Sequence, residues 1–217
     1  GSTTIKTPNL DRLANEGIRF TKGYATSATS TPSRYGLMTG MYPWKNDKAK
    51  ILAGNAPLII KEDQYTLPKM MQEAGYVTAA IGKWHLGMGD GNVDWNKTVK
   101  PGAKEIGFDY SNLIAATNDR VPTVYIENGR VVGLDPADPL DVDYNKNFDG
   151  EPTALTNPEM LKMHWSHGHN QSINNGIPRI GFQKGGKSAM WVDEDMADYF
   201  TGIAKDFMTN HKDKPFF

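Results

Sequence analysis

Helix-start signals alternate with short apolar segments at both ends of this 217-residue chain, and this alternation constrains the fold more than any other feature. Pro8 and the run Thr66-Leu67-Pro68 each open a segment with helical spacing. Residues 18–24 and 76–81 instead predict strands, the second of them buried. Helices and strands in this order indicate an α/β fold with a parallel sheet.

A long segment between the two α/β portions has a different character. Residues 88–189 are dense in glycine, proline, asparagine and aspartate, which predicts a loop-rich insertion over the sheet. Within it, Asn128-Gly129 between two apolar runs predicts a β-hairpin. The α/β pattern, assigned to residues 5–87, resumes over 190–217, where an amphipathic helix is predicted to begin near Asp193.

Composition excludes several classes of function. Lys and Arg number 24 against 25 Asp and Glu, a net charge of -1, so no overall field draws the chain to nucleic acid. No run of about 18 apolar residues occurs, so no membrane-spanning helix is expected. Because there is no cysteine, neither a disulfide nor a thiolate metal site can form. The expected partner is therefore small or local.

A serine before the second predicted helix forms a candidate anion site. Ser30 precedes Pro32, which is pre-set for a first helical turn, so the free N–H groups and positive dipole of that helix face residue 30. Arg34 lies one turn further on and can present its guanidinium to oxygens near Ser30. A sulfate or phosphate group suits this arrangement. The alternative is an ordinary serine cap followed by a solvated arginine.

Two further polar residues follow the strand predicted over 76–81. Lys83 and His85 are two positions apart, so in an extended chain both side chains point to one side and Trp84 to the other. Open α/β sheets bind ligands at the carboxyl ends of their strands. A cation and an acid/base group are therefore predicted to converge there and to share a pocket with Ser30.

Two motifs resemble signatures of the type I, formylglycine-dependent sulfatases. Residues 30–40 match the pattern Cys or Ser, any residue, Pro-Ser-Arg, two residues, Leu, any residue, Thr-Gly. Gly82-Lys83-Trp84-His85-Leu86-Gly87 is similar to the second family motif, and residues 7–14 and 214–217 also fit the family. The resemblance implies a three-layer alkaline phosphatase-like sandwich with a mainly parallel sheet. Residues 1–217 would then form part of the N-terminal catalytic domain.

The resemblance also implies a mechanism. Ser30 is then the precursor of formylglycine, whose hydrated aldehyde attacks sulfur. Arg34 steadies the hydrate, Lys83 binds sulfate, and His85 assists turnover of the formylglycine. Ser30, as formylglycine, is also the calcium ligand expected in this chain, whereas the family's paired aspartate ligands are expected to lie outside it. The implied substrate is a sulfated carbohydrate or an aryl sulfate ester, and the second implied partner is a formylglycine-maturating enzyme.

Several alternatives stay open. Ser30 is either native, as in serine-type bacterial sulfatases, or stands in place of a cysteine. The chain is expected to be an interior portion of its domain, inactive alone, from a periplasmic or secreted protein. The competing functions are a phosphomonoester or phosphonate ester hydrolase of the same superfamily, and an unmatured homologue that binds sulfated glycans without cleaving them.

Substrate recognition is predicted to lie in the insertion. Trp165 and nearby polar side chains in a glycine-rich loop suit sugar stacking and hydroxyl recognition. His164, His167 and His169 lie in this loop, and the spacing of the last two also admits zinc; ordinary loop structure is the third alternative. Arg179 and Lys184 are candidates for an anionic substrate, although solvated surface charge explains such residues more simply. The predicted substrate contacts are Asn118, Asp119, Arg120, His167 and His169.

Overall fold

The computed structural model describes residues 3–217, and four α-helices occur within that range. The first three precede the sheet and the fourth follows the insertion, in the places that the sequence predicts. The α-helices are α1 (Pro8–Glu16), α2 (Ser30–Thr39), α3 (Leu67–Glu73) and α4 (Met196–Asn210). Short 3-10 helices cover Pro43–Lys45, Pro158–Met160, Lys187–Ala189 and Asp193–Asp195.

Local chemistry sets the helix boundaries. Pro8 opens α1, and Thr66 precedes α3 with its hydroxyl accepting the Lys69 N–H. Gly40 ends α2 in a left-handed conformation with φ of 65°. Ser30 is itself the first residue of α2, with Thr29 as the cap, so the helix begins two residues before the predicted start at Pro32, and the prediction that Ser30 precedes the helix is wrong.

The central sheet is mixed and runs in the order β1-β2-β3-β4. Strands β1 and β2 pair in parallel, with Lys83 opposite Ile114, whereas β2–β3 and β3–β4 are antiparallel. Val77 forms a parallel bridge with Phe216, so the end of the chain lies beside β1 as the predicted strand would. The strands of this sheet are β1 (Ala79–Lys83), β2 (Tyr110–Ile114), β3 (Ile126–Glu127) and β4 (Arg130–Val131).

Residues 88–189 carry the remaining strands. The predicted hairpin is confirmed as β3–β4, and Asn128 and Gly129 have φ of 47° and 83°, as a two-residue turn of this kind requires. Two further antiparallel pairs join β5 to β8 and β6 to β7. They are β5 (Asp141–Asp143), β6 (Ile173–Asn174), β7 (Ile177–Pro178) and β8 (Phe182–Lys184).

One apolar cluster extends from α2 through the sheet into the insertion. It includes Tyr35 from α2, Leu113 from β2 and Leu140 from the insertion, all nearly inaccessible to solvent. Such burial stabilises a fold by roughly 1.5–3 kcal/mol for each large apolar side chain. Residues 88–189 are therefore not only an insertion over the sheet, as predicted, because they supply three of its four strands, β2, β3 and β4, and share its core. No helix among residues 3–217 is long and apolar enough to cross a membrane.

The strand predicted over residues 18–24 does not form. Ile18, Phe20 and Tyr24 are 83%, 81% and 88% exposed, and none of the described strand pairings includes this segment. An alternating pattern becomes a strand only where a neighbour satisfies its backbone N–H and C=O groups. The described residues supply no such neighbour here.

Candidate functional site

The side chains of Ser30 and His85 meet where α2 begins and the chain leaves β1. Ser30 Oγ lies 2.9 Å from His85 Nδ1, and His85 Nε2 lies 2.9 Å from the carbonyl oxygen of Leu52. Because a carbonyl only accepts hydrogen bonds, Nε2 carries the proton of the neutral ring and Nδ1 is an acceptor. The buried imidazole is thus set to take a proton from an oxygen on residue 30.

The backbone at His85 adopts an uncommon conformation. Its φ is 56°, in the left-handed region that few residues other than glycine occupy. The His85 N–H donates to the Ala115 carbonyl at 3.1 Å, and the His85 carbonyl accepts the hydroxyl of the fully buried Thr31 at 2.8 Å. The prediction that Lys83 and His85 align by extended geometry is therefore wrong, because the strand ends at Lys83 and the chain turns at His85.

Gly87 lets the neighbouring segment come close to this turn. Its φ is 76°, and a Cβ at this position would lie only 1.9 Å from the Pro57 carbonyl oxygen. The Ile59 N–H donates to the Leu86 carbonyl at 3.1 Å across the same contact. This close backbone packing supports the segment whose Leu52 carbonyl holds the His85 ring.

Arg34 and Lys83 bring two half-buried cations to the same place. Arg34 Nη1 donates to the Lys83 carbonyl at 2.9 Å, which ties α2 to the end of β1. Burial lowers the pKa of Lys83, the Arg34 charge lowers it further, and the Asp119 carboxylate opposes both. Burial also lowers the pKa of Arg34. Two cations held together in this way favour an anion beside them.

His85 is a neutral base in this environment. Burial lowers the pKa of its imidazole below the ordinary value of 6.5, while the hydrogen bond to Leu52 acts in the opposite direction. The charges of Lys83, Arg120 and Arg34 lower the pKa further. A neutral imidazole with a free Nδ1 lone pair is the form that accepts a proton in general base catalysis.

The loop at residues 117–120 forms a charged cluster near these groups. The Thr117 hydroxyl donates to the Asp119 carboxylate, and Arg120 Nη1 lies 3.0 Å from Asp119 Oδ1. Asp119 Oδ2 lies 3.2 Å from His169 Nε2. Burial opposes ionisation of Asp119, but the Thr117 hydrogen bond and the charges of Arg120 and His169 together lower its pKa.

The other predicted substrate contacts take different positions. His167 packs against the Trp165 ring with centroids 3.9 Å apart and planes tilted by 37°, and the Trp165 indole N–H donates to the His169 carbonyl at 3.0 Å. The exposed Asn118 contributes its backbone carbonyl as the acceptor of an Arg179 hydrogen bond. The structure thus joins His169 to Asp119 and leaves His167 on an aromatic surface.

Residues 3–217 contain no group of three or more carboxylate or imidazole side chains that could hold a metal ion. The zinc alternative for His167 and His169 therefore lacks a ligand set in this part of the chain. Calcium requires six to eight oxygen ligands. Ser30 Oγ contacts a neutral imidazole, so among the described residues the oxygen of residue 30 has no carboxylate partners with which to complete a calcium shell.

The structure corrects the interpretation of Arg179. Its side chain is 1% exposed and paired with Asp193, so it is neither a solvated surface charge nor an open anion-binding group. Lys184, by contrast, is exposed on β8.

Three contributors to the site were not predicted. Thr31 occupies an unspecified position of the motif, so the pattern gives no signal for it. Leu52 acts through its backbone, which no residue type reveals. The half-buried Tyr144 side chain donates its hydroxyl to the Val121 carbonyl and accepts the Gly54 N–H at 2.8 Å, and burial raises its pKa to about 12.

Comparison with known proteins now defines the class. The model of the Sulfatase family matches residues 1–217. The chain therefore belongs to the sulfatase family, and the resemblance found in its motifs is confirmed.

The particular relatives are bacterial carbohydrate sulfatases. An N-acetylgalactosamine-6-O-sulfatase of Bacteroides thetaiotaomicron is 55% identical over 218 residues, which cover 100% of this chain and 43% of the relative. An N-acetylglucosamine-6-O-sulfatase of the same organism is 49% identical over 89 residues, 40% of this chain and 14% of that protein.

A solved structure shows the same fold. The structure comes from work on the metabolism of multiple glycosaminoglycans by Bacteroides thetaiotaomicron. Its sequence is 54% identical to this chain, and the two structures superpose with a TM-score of 0.95. The match covers 100% of this chain and 45% of that one. The predicted α/β, alkaline phosphatase-like class is thereby confirmed. The chain spans less than half the length of the N-acetylgalactosamine-6-O-sulfatase and of this solved structure.

Proposed function

We propose that this chain supplies the reacting residue and sulfate-binding groups of a carbohydrate sulfatase. The observation that carries the proposal is the 2.9 Å contact between Ser30 Oγ and the unprotonated Nδ1 of His85, beside the cations Arg34 and Lys83. A nucleophile precursor, a base and anion-binding groups thus meet at one strand end. In this proposal residues 1–217 belong to the N-terminal catalytic domain, with residues 88–189 on the substrate side.

The chemistry begins at residue 30. Formylglycine derived from Ser30, or from a cysteine that the serine replaces, supplies a hydrated aldehyde with one hydroxyl to attack sulfur and another to expel sulfate. His85 Nδ1 lies within hydrogen-bond distance of the oxygen on residue 30 and takes its proton. Lys83 and Arg34 balance the negative charge of the sulfate oxygens. Arg34 is already fixed in place by its bond to the Lys83 carbonyl.

Calcium is a general feature of the family. We assign to this chain one ligand of that ion, an oxygen of residue 30. When it is bound, a hard cation such as calcium polarises the sulfate oxygens. Its other ligands are not assembled by the part of the chain that the structure describes.

The substrate we propose is a 6-O-sulfated amino sugar. The relatives named above, by their names, act on N-acetylgalactosamine and N-acetylglucosamine 6-sulfates. Asp119, Arg120 and His169 offer donors and acceptors for sugar hydroxyls, and the Trp165–His167 pair offers a stacking surface. Asn118 lies exposed beside them. We further propose a periplasmic or secreted location and maturation by a formylglycine-generating partner.

Paired assays test this proposal. The full-length mature protein, with residue 30 as formylglycine, is given 6-O-sulfated N-acetylgalactosamine, an aryl sulfate and an aryl phosphate, and we expect hydrolysis of the two sulfates. Faster hydrolysis of the aryl phosphate would instead favour the phosphoester hydrolase.

The mass of the Ser30 peptide provides a second readout. Conversion to formylglycine lowers it by about two hydrogen masses. An unmodified serine together with affinity for the sulfated sugar and no turnover would favour the non-catalytic glycan-binding alternative.

A further inference from the structure

We propose that the buried ion pair between Arg179 and Asp193 positions the loop at residues 117–120 for sugar recognition. We call this loop the recognition loop and the ion pair the clamp. The inference rests on the proposed function, because it assigns the loop to the substrate. We expect the clamp to act on sugar binding and to leave cleavage of the sulfate ester largely unaffected.

The clamp is a bidentate contact between the buried Arg179 side chain and the partly buried Asp193 carboxylate. Arg179 Nη1 donates to Asp193 Oδ1 at 2.9 Å and Nη2 donates to Asp193 Oδ2 at 2.6 Å. The guanidinium carbon lies 6.0 Å from the centroid of the Trp191 ring. Burial opposes ionisation of Asp193, yet the Arg179 and Asn175 hydrogen bonds lower its pKa, which favours the carboxylate. Breaking such a pair leaves an uncompensated buried charge.

The same arginine holds the recognition loop. Arg179 Nη1 also donates to the Asn118 carbonyl. At the next position, the Ile180 N–H donates to the Asp119 carbonyl at 2.8 Å, and the Val121 N–H donates to the Ile180 carbonyl at 3.1 Å. The loop is therefore tied to the segment that carries Arg179 by one side-chain bond and two backbone bonds. Asp193 fixes this segment to the start of the helical region that leads into α4.

The reacting groups have a separate support. Thr31 and Leu52 hold His85 through its carbonyl and its Nε2 atom, and neither residue contacts the clamp through a hydrogen bond. The recognition loop instead presents Asp119 to His169. Loss of the clamp is thus expected to displace sugar-binding groups without displacing the base.

The test compares two substrates in variants of the mature protein. In Asp193→Asn and in Arg179→Lys, we expect kcat/KM for 6-O-sulfated N-acetylgalactosamine to fall by about 10- to 100-fold, mainly through KM. For a small aryl sulfate, which lacks the sugar, kcat/KM should change by less than about threefold.

The matched control is Glu194→Gln. This change breaks the exposed Lys162–Glu194 ion pair, at 2.6 Å, which also connects the insertion to residues 193–195 but does not touch the recognition loop. We expect both substrates to be hydrolysed by this variant at nearly the original rates. If Asp193→Asn fails to fold, Arg179→Lys is measured in its place.

The outcomes separate the clamp from the proposed function. An equal loss toward both substrates, or no loss toward either, would overturn the clamp's assigned role. If the unaltered protein cleaves no sulfate ester, the proposed function fails, and amide hydrogen exchange then tests the clamp alone. Faster exchange at residues 117–121 in Asp193→Asn than in Glu194→Gln supports the clamp, and identical exchange overturns it.

Discussion

Replacing Thr31 with valine should weaken both the fold and the proposed reaction, because one buried hydroxyl fixes the backbone of His85. The Thr31 hydroxyl is inaccessible to solvent and donates to the His85 carbonyl at 2.8 Å. Valine has the same shape but no donor, so the buried carbonyl loses this partner. Leaving a buried acceptor unsatisfied costs about 1–3 kcal/mol of unfolding free energy.

The kinetic effect should be larger than the stability effect suggests. His85 holds a left-handed φ of 56°, and the Thr31 bond helps to keep it there. Without that bond the backbone can relax, which moves Nδ1 away from its 2.9 Å contact with Ser30 Oγ. A displacement of about 1 Å in a reacting group can cost about 100-fold in rate. We therefore expect kcat/KM to fall by about 10- to 100-fold.

Urea unfolding and steady-state kinetics of Thr31→Val and Thr31→Ser measure these effects. Serine keeps the hydroxyl and loses one methyl group, at a cost of about 1 kcal/mol. Because the expected stability losses of the two variants overlap, only the kinetics distinguish them. Thr31→Ser should stay within about threefold of the original kcat/KM. A valine variant as active as the serine variant would refute the reasoning.

Two further predictions concern pH and the support of the loop. Because the folded pKa of His85 is lowered, its neutral form stabilises the fold above pH 6.5, and both this contribution and kcat/KM are lost as pH falls through the folded pKa. A pH–rate profile with its acid limb above 6.5 would contradict this. Tyr144→Phe removes the donor to the Val121 carbonyl and should cost about 1–3 kcal/mol in urea unfolding. Unchanged stability would show that the hydroxyl does not support this loop.

Much of the fold could be predicted because its signals are local. Gly40 ends a helix, Thr66 caps one, and Asn128-Gly129 closes a hairpin through conformations that these residue types prefer. Residues 18–24 show the limit of such signals, because a strand depends on a neighbour that its own sequence does not specify.

The site was predictable in its members but not in its geometry. The spacing of the motifs selected Ser30, Lys83 and His85, yet the left-handed turn and the Leu52 carbonyl that fix the imidazole arise from tertiary packing. The prediction that Arg179 is solvated or open to an anionic substrate is wrong for a similar reason. A charged residue in a polar loop looks solvated until the fold provides a buried partner fourteen residues away.

Sulfate release by the mature protein and by its Ser30→Ala variant tests most directly whether residue 30 carries the reaction. With 6-O-sulfated N-acetylgalactosamine as substrate, we predict steady release by the mature protein and none above the uncatalysed rate by Ser30→Ala. Equal release by the two proteins would place the reacting group elsewhere and contradict the assignment.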